Sequence, residues 1–502
     1  MCFGKTSGVK CAGAVTAFAL LAVAACSVFA AEAREGTQET PADQGIRAAL
    51  EQLDAFLDAT MKEHNLPGLS AGVVHDRELI WSRGYGWADV EKKIPADADT
   101  IYEIGSITKL FNAVMLMQLR DAGKLCLDDA IEKYLPEFRM KSRFGDQRPP
   151  TFRQVVSHVA GLPREYGFDT SHPGELRQFP AAVVLAGISE KEFQYPAYTG
   201  FHYSNLGIYI IGQALQRIAG EPYTEYMREH VFAPLGMANT GWEYTDSMKP
   251  HRAVGYLPAK GDGPRQVAPL FVPGDFGVSA GGIQSSVTDM AKFLSLQFGD
   301  GPAGGAQVLG GTTLREMRSS VVPAQNWKWG TGIGWEVELI GGHNGICHSG
   351  ATQGYSGKVR AVPDLKLGFV LLMNQDSDHD GISRTAVEML IPAFEKAMAD
   401  APAARALPAY ASAFTGRYTG EVGAVDIVIR ENRLMLVPDE PGGKDSPWIL
   451  EARDERTMGI VSGSKAYDGL TIAFVPAVAA QPASIQFMGV TLQRAASADK
   501  AK

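Results

Sequence analysis

Strand patterns stand at both ends of the first four hundred residues and helix patterns fill the middle, an arrangement that constrains the fold more than any single motif. GLSAGVV (68–74) and ELIWSRGYG (78–86), joined through HDR, read as a strand pair. From about 106 to 300 helix patterns dominate, among them LGIYIIGQALQRIAG, which stops at Gly220 with Pro222 just beyond. After Gly310 strands return in TGIGWEVEL, GICHSG, SGKVRAVP and KLGFVLLMNQ, followed by a last helix, RTAVEMLIPAFEKAMA. The early pair must therefore join the later strands in one sheet. The absence of regular β-α-β alternation excludes a doubly wound fold, and the expectation is an α/β (α+β) domain: a mostly antiparallel sheet flanked by helices, with a helical subdomain.

The flanks are simpler. Residues 31–44 are polar and read as a disordered lead-in, followed by a helix in IRAALEQLDAFLDATMKEH with Ala49, Leu53, Phe56, Leu57 and Met61 on one face. DAPAARALPAYA (400–411) shifts to Ala and Pro and reads as a linker. Beyond it DIVIR and RLMLV form a hairpin pattern around Glu431 and Asn432, and WILEA, TMGIVS, LTIAFV and SIQFMGVTL continue as short strands. Domain limits follow as 1–30 leader, 45–398 main domain and 412–496 small all-β domain, with no internal repeat at a fixed period.

Lys5 and Lys10 precede an uncharged run from Cys11 to Ala31, and VFA (28–30) and AEA (31–33) offer the small residues a signal peptidase reads. Cleavage and export are the first expectation. Lipidation at Cys26, from the lipobox-like VAAC, comes second, and an uncleaved membrane anchor third, so membrane attachment enters only through the leader. Formal net charge is −9, or −11 once a leader bearing two lysines and no acid is removed, and no basic cluster suggests nucleic acid. Only Cys126 and Cys347 remain outside the leader, too few for a disulfide framework.

Candidate chemistry begins in EIGSITKLFNAVMLMQL (103–119), where Ile107, Leu110, Phe111, Val114, Met115 and Leu119 recur at the spacing of one buried helix face. Ser106 and Lys109 stand at its mouth, one turn apart and on the same side. A helix N-terminus disfavours a cation and burial disfavours it further, so Lys109 is a candidate base for the Ser106 proton. Ser-x-x-Lys also begins at Ser7, Ser462 and Ser497, but only Ser106 opens such a helix. The bland alternative is a capping Ser106 with a snorkelling Lys109. Tyr203 and Asn205, in FHYSNLGIY just before a helix, could move a proton and hold a substrate carbonyl, or merely pack and cap. His348 and Gly350, in CHSGATQGYSG, share one side of a strand, where a glycine would let substrate lie against the backbone.

GSITK, then YSN 97 residues later, then HSG 145 residues after that, resembles the serine β-lactamase and penicillin-recognising D-peptidase family. SHVAGL (157–162) and SAGGIQSSVTDMAKF (279–293) look like its flanking segments, and the resemblance spans about residues 45–398. It implies the β-lactamase/transpeptidase-like fold, Ser106 as acylated nucleophile, and Lys109 with Tyr203 as acid/base pair. Asn205 would position substrate, and His348 would stand where many relatives carry a lysine that attracts the substrate carboxylate. The backbone N–H groups of Ser106 and Ala351 would stabilise the oxyanion. Histidine in the third motif resembles the D-aminopeptidase and D-Ala-D-Ala carboxypeptidase branches. A carboxylesterase or weak β-lactamase is the alternative and a non-catalytic binding protein the last. The substrate would be a small molecule or peptide, with no cofactor and no metal.

Two rival patterns are weaker. Gly277-Val278-Ser279-Ala280-Gly281 matches a nucleophile elbow with His379 downstream, but Pro273 and Gly274 precede it where a strand is required. DSDHDG (376–381) begins like a calcium loop, yet its twelfth position is Val387, so a solvated turn capping the next helix is the better reading.

Overall fold

The computed structural model describes residues 41–495 apart from 146, 170, 172–174, 260–264, 300–306, 324–327, 401–406, 408, 421–422, 431–432, 439–447, 463–469 and 479–481. The leader with Cys26, the lead-in up to residue 40, most of the linker and the Glu431-Asn432 turn lie outside the described residues.

The chain opens with α1 (Pro41–Glu63), so residues 41–44 are helical rather than part of the lead-in. Next come β1 (Gly68–His75), β2 (Glu78–Asp89) and the short β3 (Ile94–Pro95). The helical middle contributes α2 (Thr108–Asp121), α3 (Asn205–Ala219), α4 (Gly274–Gly281) and α5 (Val287–Leu296). Gly220, left-handed at φ 84°, ends α3 where the sequence placed its stop. A further helix, α6 (Gly311–Arg318), occupies a stretch expected to have returned to strands. Then follow β4 (Val322–Pro323), β5 (Trp329–Thr331), β6 (Glu336–Ile340), β7 (His343–Thr352), β8 (Tyr355–Val362), β9 (Leu367–Met373) and α7 (His379–Asp400).

These nine strands form one antiparallel sheet in the order β3-β2-β1-β9-β8-β7-β6-β5-β4. The early hairpin does join the late strands, with Leu69 opposite Met373 and His75 opposite Leu367. Every residue of β9 is buried because both faces are covered. Leu367, Phe369, Leu371 and Met373 pack with Leu53, Leu57, Leu390 and Phe394 of α1 and α7, while Val370 and Leu372 pack with α2 and α5. That double cover turns an alternating strand into a continuous apolar run.

The helix behind Ser106 corrects one expectation. Every residue of α2 from Thr108 to Met117 is buried, so it is a central helix enclosed on all sides rather than an amphipathic one. Ser279 also falls away as a nucleophile: it lies within α4, buried, with its Oγ donating to the Ile208 carbonyl at 3.2 Å. Asp378 accepts from the Gly381 N–H at 2.9 Å and caps α7, as the sequence suggested, but Asp380 is ion-paired rather than merely solvated. Cys126 is exposed, Cys347 is buried, and both are free thiols.

The C-terminal part is a closed eight-stranded barrel running from Gly416–Gly420 to Val490–Arg494. Its first strand was not apparent in the sequence, and SIQFMGVTL is two strands, Ser484–Phe487 and Val490–Arg494, turned at Met488 and Gly489. Phe414, Tyr418, Ile427, Leu436, Ile460 and Ile485 fill the interior. Among the described residues no helix is long and apolar enough to cross a membrane.

Candidate active site

Ser106 sits in a single 3-10 turn, Gly105–Ile107, immediately before α2, and Lys109 falls in the first turn of that helix. Lys109 is 1% exposed, and its Nζ reaches the Ser106 Oγ at 2.8 Å and donates to the Ala280 carbonyl at 2.6 Å. The snorkelling alternative is therefore excluded. Burial lowers the Lys109 pKa to about 7; Glu165 opposes that shift and Arg164 reinforces it. Near neutrality the amine spends much of its time unprotonated, holding a lone pair beside the Ser106 hydroxyl.

Two glycines set this turn against the sheet. A Cβ on Gly350 would lie 1.9 Å from the Ile104 carbonyl oxygen, and one on Gly105, at φ 49°, would lie 2.6 Å from the Ala351 nitrogen. Backbone packs directly on backbone here. Gly350 thus serves the close approach of the Ser106 turn while its backbone lines the cleft. Strand β6 begins at Glu336 opposite Cys347, so among the described residues His348–Thr352 of β7 pair with no strand on that side, and His348 to Ala351 line the cleft.

Tyr203 stands at the opposite wall. Ser204, rather than Asn205, caps α3: its Oγ accepts from the Gly207 N–H at 2.9 Å and donates to the Pro163 carbonyl at 2.6 Å. The Ser204 N–H donates to His158 Nδ1 at 3.1 Å, so the SHVAGL segment clamps the YSN turn. Tyr203 lines the cleft together with Ser106, and the Lys109 ammonium lies 5.0 Å from the centre of its ring. Burial pushes the phenol well above its ordinary range, so it holds its proton and does not ionise as the sequence reading allowed. The Asn205 amide donates to Glu165 Oε1 and is not among the residues lining the cleft.

The cleft, about 350 Å³, is lined by Ser106, Arg164, Phe201, Tyr203, Glu336, His348, Ser349, Gly350, Ala351 and His379. His348 is 3% exposed and burial lowers its pKa to about 4, which removes the cationic role expected of it. Its Nδ1 lies 2.6 Å from the Ser349 carbonyl, an acceptor, so Nδ1 carries the proton and Nε2 a lone pair. Behind the third motif runs a charge network: Lys358 Nζ contacts Ser349 Oγ at 2.9 Å, Glu336 at 3.2 Å and Asp380 at 2.9 Å. Arg360 pairs with Glu338 at 2.5 Å and Asp380 at 2.9 Å. These residues were missed. Their signal was the two-residue spacing of Glu336 and Glu338 on one strand and of Lys358 and Arg360 on another, charges in apolar strands that need each other as partners.

The comparisons agree with this geometry. The Beta-lactamase family model matches residues 53–391. The chain belongs to that family. "Beta-lactamase-like protein 2" of Dictyostelium discoideum is 28% identical over 422 residues, covering 78% of this chain and 75% of the relative. The octameric penicillin-binding protein homologue from Pyrococcus abyssi superposes with TM-score 0.59 at 23% identity, covering 88% of this chain and 99% of the other. A β-lactamase/D-alanine carboxypeptidase from Pseudomonas syringae gives TM-score 0.57 at 21% identity, covering 69% and 99%. The β-lactamase/transpeptidase-like fold expected from the motifs is thus the fold observed, and the chain is a β-lactamase-fold hydrolase.

Gly350→Ala is expected to destabilise the protein by about 2–3 kcal/mol, because the added methyl meets backbone rather than a movable side chain. Gly45→Ala, at an α1 position with nothing within 4 Å, should be neutral or slightly stabilising. Urea unfolding midpoints of both variants check the contrast.

Proposed function

We propose that the protein is an exported serine hydrolase that works through an acyl-enzyme on Ser106, of D-aminopeptidase or D-Ala-D-Ala carboxypeptidase type. The observation that carries this reading is the buried Lys109 amine, with a pKa near 7, at 2.8 Å from the Ser106 hydroxyl. A side chain with no chemical role gains nothing from burial that takes away its charge.

In this mechanism neutral Lys109 takes the Ser106 proton as the oxygen attacks the acyl carbon. The Ala280 carbonyl holds the amine in place through its other N–H. Tyr203, a protonated phenol lining the cleft with Ser106, passes its proton to the leaving group as it takes one from the Lys109 ammonium, and the same relay runs in reverse for the proton of the attacking water. The N–H groups of Ser106 and Ala351 stabilise the oxyanion, an arrangement supported by the Ala351 nitrogen lying against the Gly105 turn. The open edge of His348–Thr352 accepts an extended substrate by strand pairing, which favours a peptide over a simple ester.

Brief mixing with a penicillin or an alkyl fluorophosphonate, followed by intact mass, should give one stoichiometric adduct that Ser106→Ala lacks; an adduct persisting in that variant would refute the assignment. Because the unprotonated amine is the base, kcat/KM should climb as pH rises through about 7 and level off above it. Lys109→Ala should lose nearly as much kcat as Ser106→Ala, since the two act as one unit. A flat pH profile across that range, or a Lys109→Ala variant close to wild type, would remove Lys109 from the mechanism.

A further inference from the structure

On the reading of Ser106 as nucleophile, the geometry points to Arg164 as the residue that binds a carboxylate of the substrate, in place of the motif histidine. Three observations carry this. His348 is unsuited to that role, since it is buried, its Nδ1 proton is committed to the Ser349 carbonyl, and Nε2 presents a lone pair that repels a carboxylate. Lys358, the nearest lysine on the sheet side, is 2% exposed and is engaged by Ser349, Glu336 and Asp380. Arg164 is different. It lines the cleft with Ser106, its side chain is 67% exposed, and among the described residues its one ion-pair partner is Glu165 at a loose 3.8 Å. Glu165 Oε1 already accepts from Asn205, so the guanidinium keeps donors for a ligand.

Arg164 is also held in place rather than trailing in solvent. The Pro163 carbonyl accepts from Ser204 Oγ at 2.6 Å and the Arg164 carbonyl accepts from the Leu206 N–H at 3.1 Å, which fixes its backbone to the turn that carries Tyr203. Its guanidinium lies 5.0 Å from the centre of the Tyr203 ring. A planar, permanently charged fork beside the proton-donating phenol suits a carboxylate bidentately. Among the described residues lining the cleft, Arg164 alone carries a cation at every working pH.

The test uses the full-length mature protein and two matched thioesters, N-acetyl-D-alanyl-thioglycolate and its thioglycolamide, with thiol release as the readout. Wild type should favour the acid over the amide in kcat/KM by about 30-fold, the scale of a charge-assisted hydrogen-bonded pair. The ratio should fall toward unity in Arg164→Gln and be partly kept in Arg164→Lys. It should also stay constant from pH 6 to 9, because Lys109 titrates equally under both substrates and cancels. Glu165, Glu336, His348 and His379 are the other ionisable groups around the fork. No preference in wild type, or a preference unchanged in Arg164→Gln, overturns the inference while leaving the hydrolase reading intact. A preference that grows as pH falls transfers the role to a histidine and overturns it too. Turnover of neither thioester, together with no fluorophosphonate adduct on Ser106, removes the hydrolase reading and this inference with it.

Discussion

The structure depends on sealing one amine inside the protein. Lys109 is enclosed by α2, the Ala280 carbonyl of α4 and the Tyr203 ring, and the unfolded chain binds a proton there that the folded chain largely gives up. That group opposes folding in full below its buried pKa of about 7, and the opposition fades as pH rises from there to the free lysine value. What offsets it is the surrounding core: Leu110, Phe111, Val114 and Met115 on the same helix are all fully buried. An enclosing α2 is therefore what allows a lysine to be held half-charged, and an amphipathic helix with a wet face could not do so.

Part of this was legible in the sequence because it rests on local chemistry. The strand pair at 68–86, the stop at Gly220 and the capping Asp378 each follow from a few adjacent residues. The joining of early and late strands followed from counting elements that needed a partner. The motif spacing marked Ser106, Lys109, Tyr203 and His348, and the fold brings all four to one place.

The rest depended on contacts that no local pattern records. Whether α2 has a wet face is decided by α3, α4 and α5, and its run of Leu, Met and Val reads alike in both cases. Gly350 looked like a place for a ligand and does line the cleft, but that a side chain there would meet the Ile104 carbonyl from far earlier in the chain is recorded in no local pattern. His348 stands where many relatives carry a lysine, and only its burial shows that it does not carry a lysine's charge. That the Asn205 amide donates to Glu165 is likewise a contact no local pattern records. Arg164 sits in a loop with no pattern of its own, made notable by the turn it is bonded to.

The pairing of β1 with β9 carries a consequence for how the molecule is made. Leu69 meets Met373, so this strand pair closes a loop of roughly three hundred residues. A chain emerging from its N-terminus has its first hairpin long before the strand that completes it, and one apolar flank of β1 has nothing to cover it in the interval. Loop closure on this scale makes the nucleus slow to form. Ser106 and His348 come from opposite ends of that loop, so the cleft exists only once the late strands have joined the early hairpin, and neither end of the main domain carries a site by itself.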